Sequence, residues 1–410
     1  MEQQLIPHLF RAEYHKIVTV LCRHLGIEHL DEAEDIAAET FLSALESWPY
    51  KGVPPNPIAW LYAVAKNKTR NFQNRSQTYS HRIAPELKGD MNVTETDLDL
   101  TDQNIKDSQL QMLFALCHPS IPVESQIGLS LRILCGFGIE EIANGFLTGK
   151  DVINKRLFRA KEKLREAKVQ IEMPSESAMT QRLETVLTTI YLVFNEGYYS
   201  ESNDEVIRES FCHEAMRLIR LLLDNDSTNQ PEVNALYALM CFHASRFKAR
   251  KGQNGDMILH ADQNESLWDV ELISQGADYL NRASTGSKLS KYHLEAGIAY
   301  WHTKKEDTKE KWDSILQLYN KLLIISYSPV AALNRTFALS KVKGVTIAIE
   351  EAEKLKLSDN HFYHVLLAEL YSLINRRKAV DHLMTASTLA KTKSDKELIQ
   401  KKIQLLKTRD

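Results

Sequence analysis

Apolar residues recur three and four positions apart along nearly all of this 410-residue chain, and no run alternates apolar and polar as a half-buried strand does. The chain is therefore expected to be all-α. At 43% hydrophobic residues it can build real cores, enough for about two to four domains. The spacing predicts a first helix over 5–25 and a second over 31–48, opened by Asp31 as N-cap with Glu34 three residues on, a variant of the capping box. In the second helix Ala33, Ile36, Ala37, Phe41, Ala44, Leu45 and Trp48 are expected to pack inward. Glu32, Asp35, Glu39 and Glu46 line another side, and from 28 to 46 there are seven acids and no Lys or Arg. Such a run is either a solvated face or a docking surface for a basic partner helix.

The segment 137–167 reads as a helix-turn-helix. Ile139, Ile142, Ala143 and Phe146 form the apolar stripe of its first helix, and Val152, Ile153, Leu157, Ala160 and Leu164 that of its second. The outward positions of the second helix are expected to carry Lys150, Asn154, Lys155, Arg156, Arg159, Lys161 and Lys163. A basic helix on a small scaffold can enter the major groove, where Arg and Asn make bidentate base contacts and Lys neutralises phosphate. An ordinary helical hairpin with a solvated basic face is the alternative.

Charge is distributed in blocks although the chain as a whole carries only -3. Residues 51–82 hold six bases and no acid, residues 150–168 eight bases against three acids, and the stretch 86–107 between them seven acids against two lysines. Two basic modules are thus joined by an acidic linker. Before the first of them, Tyr50, Lys51, Gly52, Val53, Pro54 and Pro55 form a rigid loop, with Asn56 as N-cap and Pro57 at the first helical position. The helix that follows, 58 to about 75, mixes Trp60, Tyr62 and Phe72 with Lys66, Asn67, Lys68, Arg70 and Asn71. Aromatics among cations suit unpaired nucleic acid, because every base offers a face to stack on. Leu61, Val64 and Phe72 are expected inward and the polar side toward DNA.

Enzyme chemistry finds no support in the sequence. The loop at Asp224 begins like a calcium site but has Asn229 where glycine is needed and Ala235 where a carboxylate is needed. The run from Gly145 to Lys150 is one residue short of a phosphate-binding loop. Five scattered cysteines without a Cys-x-x-Cys pair fit neither a disulfide framework nor zinc. No metal and no cofactor are expected. With neither a leader pattern nor a run of roughly 18 apolar residues, the chain is expected to be soluble and cytoplasmic, without a membrane partner.

The acidic helix 31–45, the Pro-Ile-Ala-Trp-Leu-Tyr-Ala-Val-Ala-Lys-Asn segment 57–67 and the helix-turn-helix ending Arg-Leu-Phe-Arg-Ala-Lys at 161 together resemble the extracytoplasmic-function sigma factors of bacterial RNA polymerase. The resemblance covers 5–168. It implies region 2 at 1–80, the acidic linker at 81–104 and region 4 at 105–172, with the polymerase core enzyme and promoter DNA as partners. By position it places Glu32, Asp35, Glu39 and Phe41 on the polymerase clamp. Trp60, Asn67 and Arg70 fall on the helix that helps open the minus-10 element, with 50–55 as the loop that receives a flipped base. Lys150, Asn154, Lys155, Arg156 and Arg159 fall on the minus-35 reader. Gly149 stands where the family has a helix-starting Ser or Pro and Val152 where it has Thr, so a hydroxyl contact to phosphate is missing there.

Residues 180–410 are too long and apolar for a tail, and 173–178 has the polar, proline-containing look of a linker. Over 292–393 an offset of 34 pairs Leu333 with Leu367, Phe337 with Tyr371 and Ala352 with Ala386, the length of a tetratricopeptide unit without its glycine and tryptophan signature. This half is similar to the tetratricopeptide-like C-terminal extension of one sigma-factor group. Its segment 260–269 puts Asp262 and Gln263 ahead of Trp268 in an expected loop, the best candidate for a regulatory contact with a ligand or with the sigma modules. The competing reading is a helical-repeat scaffold that binds DNA without polymerase, which has no need of the acidic helix.

Overall fold

A computed structural model describes residues 2–83, 98–146, 148–198, 209–252, 258, 260–286 and 288–408. The acidic residues 86–97 of the linker lie outside them. The described residues are helical almost throughout, as the three-four spacing predicts, and divide into two compact units, Met1–Leu192 and Val193–Asp410.

Unit 1 is built around α1 (Glu2–Leu25). Tyr14 and the run Ile17, Val18, Thr19, Val20, Leu21 and Cys22 of this helix are all buried, positions that together go round the helix, so this part is covered on every side. It packs against α2 (Leu30–Lys51) and α3 (Pro57–Ile83) and also against α4 (Asp102–Leu116) and the π-turn Ser130–Leu134 that continues α5 (Val123–Leu129). The helix-turn-helix follows as α6 (Ile139–Gly145) and α7 (Lys150–Glu166), with Ile142, Ala143, Ile153, Leu157, Ala160 and Leu164 buried.

Several local expectations need correction. Asp31 does not cap α2. The chain enters through Gly26, at φ +98, and a 3-10 turn Ile27–His29, so His29 precedes the helix without a side-chain cap and Asp31 lies inside the first turn. Its carboxylate goes to α7 instead. Leu45 and Val152, expected inward, are 53% and 48% exposed, because each lies at the margin of its stripe. The Asn56 cap is present, with Oδ1 accepting the Ala59 N–H at 3.0 Å.

The boundary between the units falls inside α8 (Glu176–Tyr198), with unit 2 starting at Val193, thirteen residues beyond the expected start at 180. Leu183, Val186, Leu187 and Ile190 of its first half are buried, Arg182 donates to the Phe114 carbonyl and the Thr189 hydroxyl to Gln126 Oε1 at 3.1 Å. This half of the helix is part of unit 1.

Unit 2 comprises the rest of α8, then α9 (Glu209–Leu223), α10 (Pro231–Ala244), α11 (Phe247–Arg250), α12 (Val270–Ala283), α13 (Lys291–His302) and α14 (Lys309–Ile325). It ends with α15 (Pro329–Lys343), α16 (Val345–Lys354), α17 (His361–Tyr371), α18 (Arg376–Leu389) and α19 (Lys393–Thr408). Helix starts are fixed by side-chain caps from Asp269, Thr308, Ser328, Asn360 and Asn375. The last helices form successive small cores, around Trp312 and Ile315, around Ile349 and Leu367, and around Leu383 and Ile399, as stacked hairpins do. The helix starts in this region do not keep a 34-residue spacing, α15 and α17 beginning at 329 and 361 and α16 and α18 at 345 and 376. The paired positions Leu333 of α15 and Leu367 of α17 are both buried, as are Ala352 of α16 and Ala386 of α18.

Candidate docking and nucleic-acid surfaces

Three surfaces of unit 1 carry the residues singled out in the sequence. The first is an apolar groove of about 520 Å³ between α1 and α2, lined by Ile6, Phe10, Phe41, Leu42 and Leu45 together with Asp35 and Glu39. Leu42 is 51% exposed, and Phe10 stacks on Tyr14 while its edge meets Phe41, which holds the groove floor in shape. Asp35 and Glu39, one turn apart, stand beside this apolar strip, and Glu39 is held by Lys68 of α3 at 2.9 Å. Phe41 is buried and shapes the groove from below. Glu32 points elsewhere, toward His29 at 3.7 Å. Sequence reasoning missed Ile6, Phe10 and Leu42; the available signal was a leucine standing among the acids.

The second surface is the free side of α3. Asn67 and Arg70 are exposed one turn apart, with Ala63 and Asn71 on the same side, while Leu61 and Ala65 are buried. Trp60 is half-buried, its ring 5.4 Å from that of Trp48 in an edge-to-face pair. Tyr50 is 90% exposed at the end of α2, where the proline loop starts. A cationic side with one anchored aromatic can follow a backbone and stack a base.

The third is α7. Lys150, Asn154, Lys155 and Arg159 are exposed and Arg156 is half-buried, so one continuous polar face is available for a groove. Lys161 departs from the expected outward set. Its ammonium lies 2.6 Å from both Asp31 and Glu34 of α2. Arg165 joins Asp31, and Arg132 Nε donates to Glu34 Oε1 at 2.9 Å. Burial disfavours both charged groups here, but the Glu34 and Asp31 carboxylates raise the Lys161 ammonium, and the Lys161 and Arg165 hydrogen bonds hold the Asp31 carboxyl below the usual carboxylate range. The acidic helix and the basic helix of one chain thus neutralise each other at the start of α2.

In unit 2 the expected regulatory trio is split. Asp262 is exposed, whereas Gln263 and Trp268 are buried, 3% and 7% exposed, so neither presents a surface as expected. Trp268 to alanine would leave a large cavity, costing about 3 to 5 kcal/mol.

A region 2 match and similarity to two sigma factors support a role as a sigma factor of RNA polymerase in transcription initiation, and the buried α1 scaffold, the groove on an acidic helix and the two cationic helices fit it. Residues 9–78 match sigma-70 region 2, and residues 182–284 match a family of unknown function, DUF6596. The chain belongs to one family with the uncharacterized protein R00370 of Rhizobium meliloti, 34% identical over 371 residues that cover 88% of each chain. It is also similar to the ECF RNA polymerase sigma-E factor of Haemophilus influenzae, 25% identical over 160 residues, 38% of this chain and 82% of that protein. The RNA polymerase sigma factor YlaC of Bacillus subtilis is 26% identical over 160 residues, 39% of this chain and 90% of that protein. No solved structure matches the chain. Among the described residues no helix is long and apolar enough to cross a membrane.

Proposed function

We propose that the α2 groove docks on core polymerase, that α3 and the 50–55 loop engage and help open the minus-10 element, and that α7 reads the minus-35 element. Unit 2 is a tetratricopeptide-like regulatory domain in this reading and sets the activity of unit 1. The role needs no catalytic residue of its own. The observation that carries the reading is the groove. An exposed apolar strip flanked by acids, on the helix that matches sigma-70 region 2, has no use in a scaffold that only binds DNA.

Run-off transcription with purified core polymerase tests it. Full-length chain should give promoter-directed transcript that core enzyme alone does not, and a chain ending at Leu192, which keeps the packed half of α8, should change the yield. Equal yields from both chains remove the regulatory role of unit 2; no transcript and no co-elution with core polymerase favour the DNA-binding scaffold.

For α7 the expected outcome depends on the contact. Arg156→Ala and Arg159→Ala should each weaken binding to an upstream promoter fragment, and a residue that touches only phosphate should do so for every sequence, lowering the salt slope by about one. Asn154→Ala and Lys155→Ala should relax preference at single base pairs, by about 1 to 3 kcal/mol. Fragment titrations at several salt concentrations check this, and wild-type affinity in all four variants removes α7 from the groove.

A further inference from the structure

Among its described residues unit 2 keeps positive charge in its interior without the counter-charge that normally accompanies it. Arg246, at the turn from α10 to α11, is 7% exposed, and its Nε has no hydrogen-bond partner. Its Nη2 reaches only His243 Nδ1, at 3.5 Å. Arg250, one turn later, is equally buried and lies 3.9 Å above the Tyr198 ring. Among the described residues no carboxylate pairs with either guanidinium. A buried ion that lacks a partner costs several kcal/mol, so the native protein is expected to meet one.

Other groups nearby have unfilled hydrogen-bonding capacity. The Asp269 N–H donates to the Ser245 carbonyl at 2.8 Å, which brings Trp268 and Arg246 to the two sides of one hydrogen bond. The Trp268 Nε1–H and Gln263 Oε1 are buried and also without partners. His260 lies between Trp268 and His302, with ring centroids 5.8 and 5.3 Å away. Burial and then the arginines push His243 well below its ordinary value, and burial with Arg246 and His260 takes His302 down to about 3, so both rings stay neutral beside the guanidinium.

We propose that Arg246, Arg250 and Trp268 form a binding site for a small oxyanion, a carboxylate or a phosphate. The Arg246 fork supplies planar charge-assisted donors and the Trp268 N–H a further one, while Arg250 adds to the field. Gln263 Oε1 is an acceptor, which fits a ligand with a hydroxyl beside its anionic oxygens, as hydrogen phosphate and hydroxy acids have.

Thermal unfolding and calorimetry of the full chain test this, with inorganic phosphate and lactate as probes and chloride at matched ionic strength as the reference. At a hundredfold excess over Kd, one of the two anions should raise Tm by about 5 °C or more. Which one does so identifies the ligand class. Arg246→Met, similar in volume, should keep or raise Tm in chloride, because a buried unpaired charge has gone, and should weaken anion binding at least tenfold. Trp268→Phe, which keeps the packing and loses the N–H, should weaken it several-fold. The proposal is overturned if neither anion raises the wild-type Tm above chloride, or if both variants bind the anion as tightly as wild type.

Discussion

Leu42→Asp should abolish co-elution of the chain with core polymerase while leaving its helicity and Tm unchanged. The side chain is half exposed in the free protein and touches the groove wall, so unit 1 loses little by the change. A leucine buried on docking is worth about 1.5 to 3 kcal/mol, and an aspartate forced into the same apolar site adds a desolvation cost of its own. The two effects together exceed about 3 kcal/mol, more than a hundredfold in affinity. The acids should rank lower. Asp35→Lys reverses a charge beside the groove, whereas Glu39 already shares its carboxylate with Lys68, so Glu39→Lys should lose less. Asp35→Lys with Glu39→Lys should still remove holoenzyme formation. Gel filtration with core polymerase measures all four variants, and wild-type co-elution of Leu42→Asp would place the docking surface elsewhere.

The features legible in the sequence are those set by local periodicity. The two helices at 139–145 and 150–166 and the Asn56 cap each depend on residues within one or two turns of each other. Assignments that depend on which helix lies opposite could not be read that way. Asp31 has every local property of an N-cap, and only the approach of Lys161, 130 positions away, makes it an ion-pair partner. Lys161 looks like one more outward base for the same reason. Gln263 and Trp268 sit in a polar loop, and nothing local tells that the turn at Ser245 pairs with Asp269 or that Lys305 reaches the Gln263 carbonyl. Leu42 was hidden by the acids around it, since an apolar residue in a polar stripe reads as noise until the groove beside it is seen.

That contact between α2 and α7 leads to the other large expected effect, Lys161→Glu. In the proposed reading the two elements, named for positions about 25 base pairs apart, are separated by about 85 Å at roughly 3.4 Å per step. With Lys161 on Asp31, the 22 residues of α2 and the seven steps from Lys161 back to Asn154 span about 45 Å of helix as far as the 50–55 loop, and α3 folds back along α2 through Trp60 on Trp48, Lys68 on Glu39 and Phe72 on His29, so side chains included the two proposed DNA faces are no more than about 60 Å apart. On that reading the closed unit 1 falls short of both elements at once, and engaging them together requires α7 to leave α2. Acid does not provide the release near neutral pH: the Asp31 carboxyl titrates below its unfolded value, so its contribution is present at higher pH and lost only as pH falls through that depressed range. Lys161→Glu puts a third carboxylate where the lysine now lies 2.6 Å from two others, and removing one member of a largely buried pair costs about 3 to 5 kcal/mol. The half-exposed Asp31 brings this toward the lower figure, still about a hundredfold shift toward an open form. Dyes on Tyr50→Cys and Lys163→Cys report it selectively, because the five native thiols are buried and free, with Cys117 and Cys241 pushed by burial up to about 11 and 12. Transfer between the dyes should fall on Lys161→Glu and recover in part when Glu34→Lys is added. Unchanged transfer in the single variant would mean that the apolar packing of α1 against α4 alone holds the unit closed, with the ion pairs only setting its register.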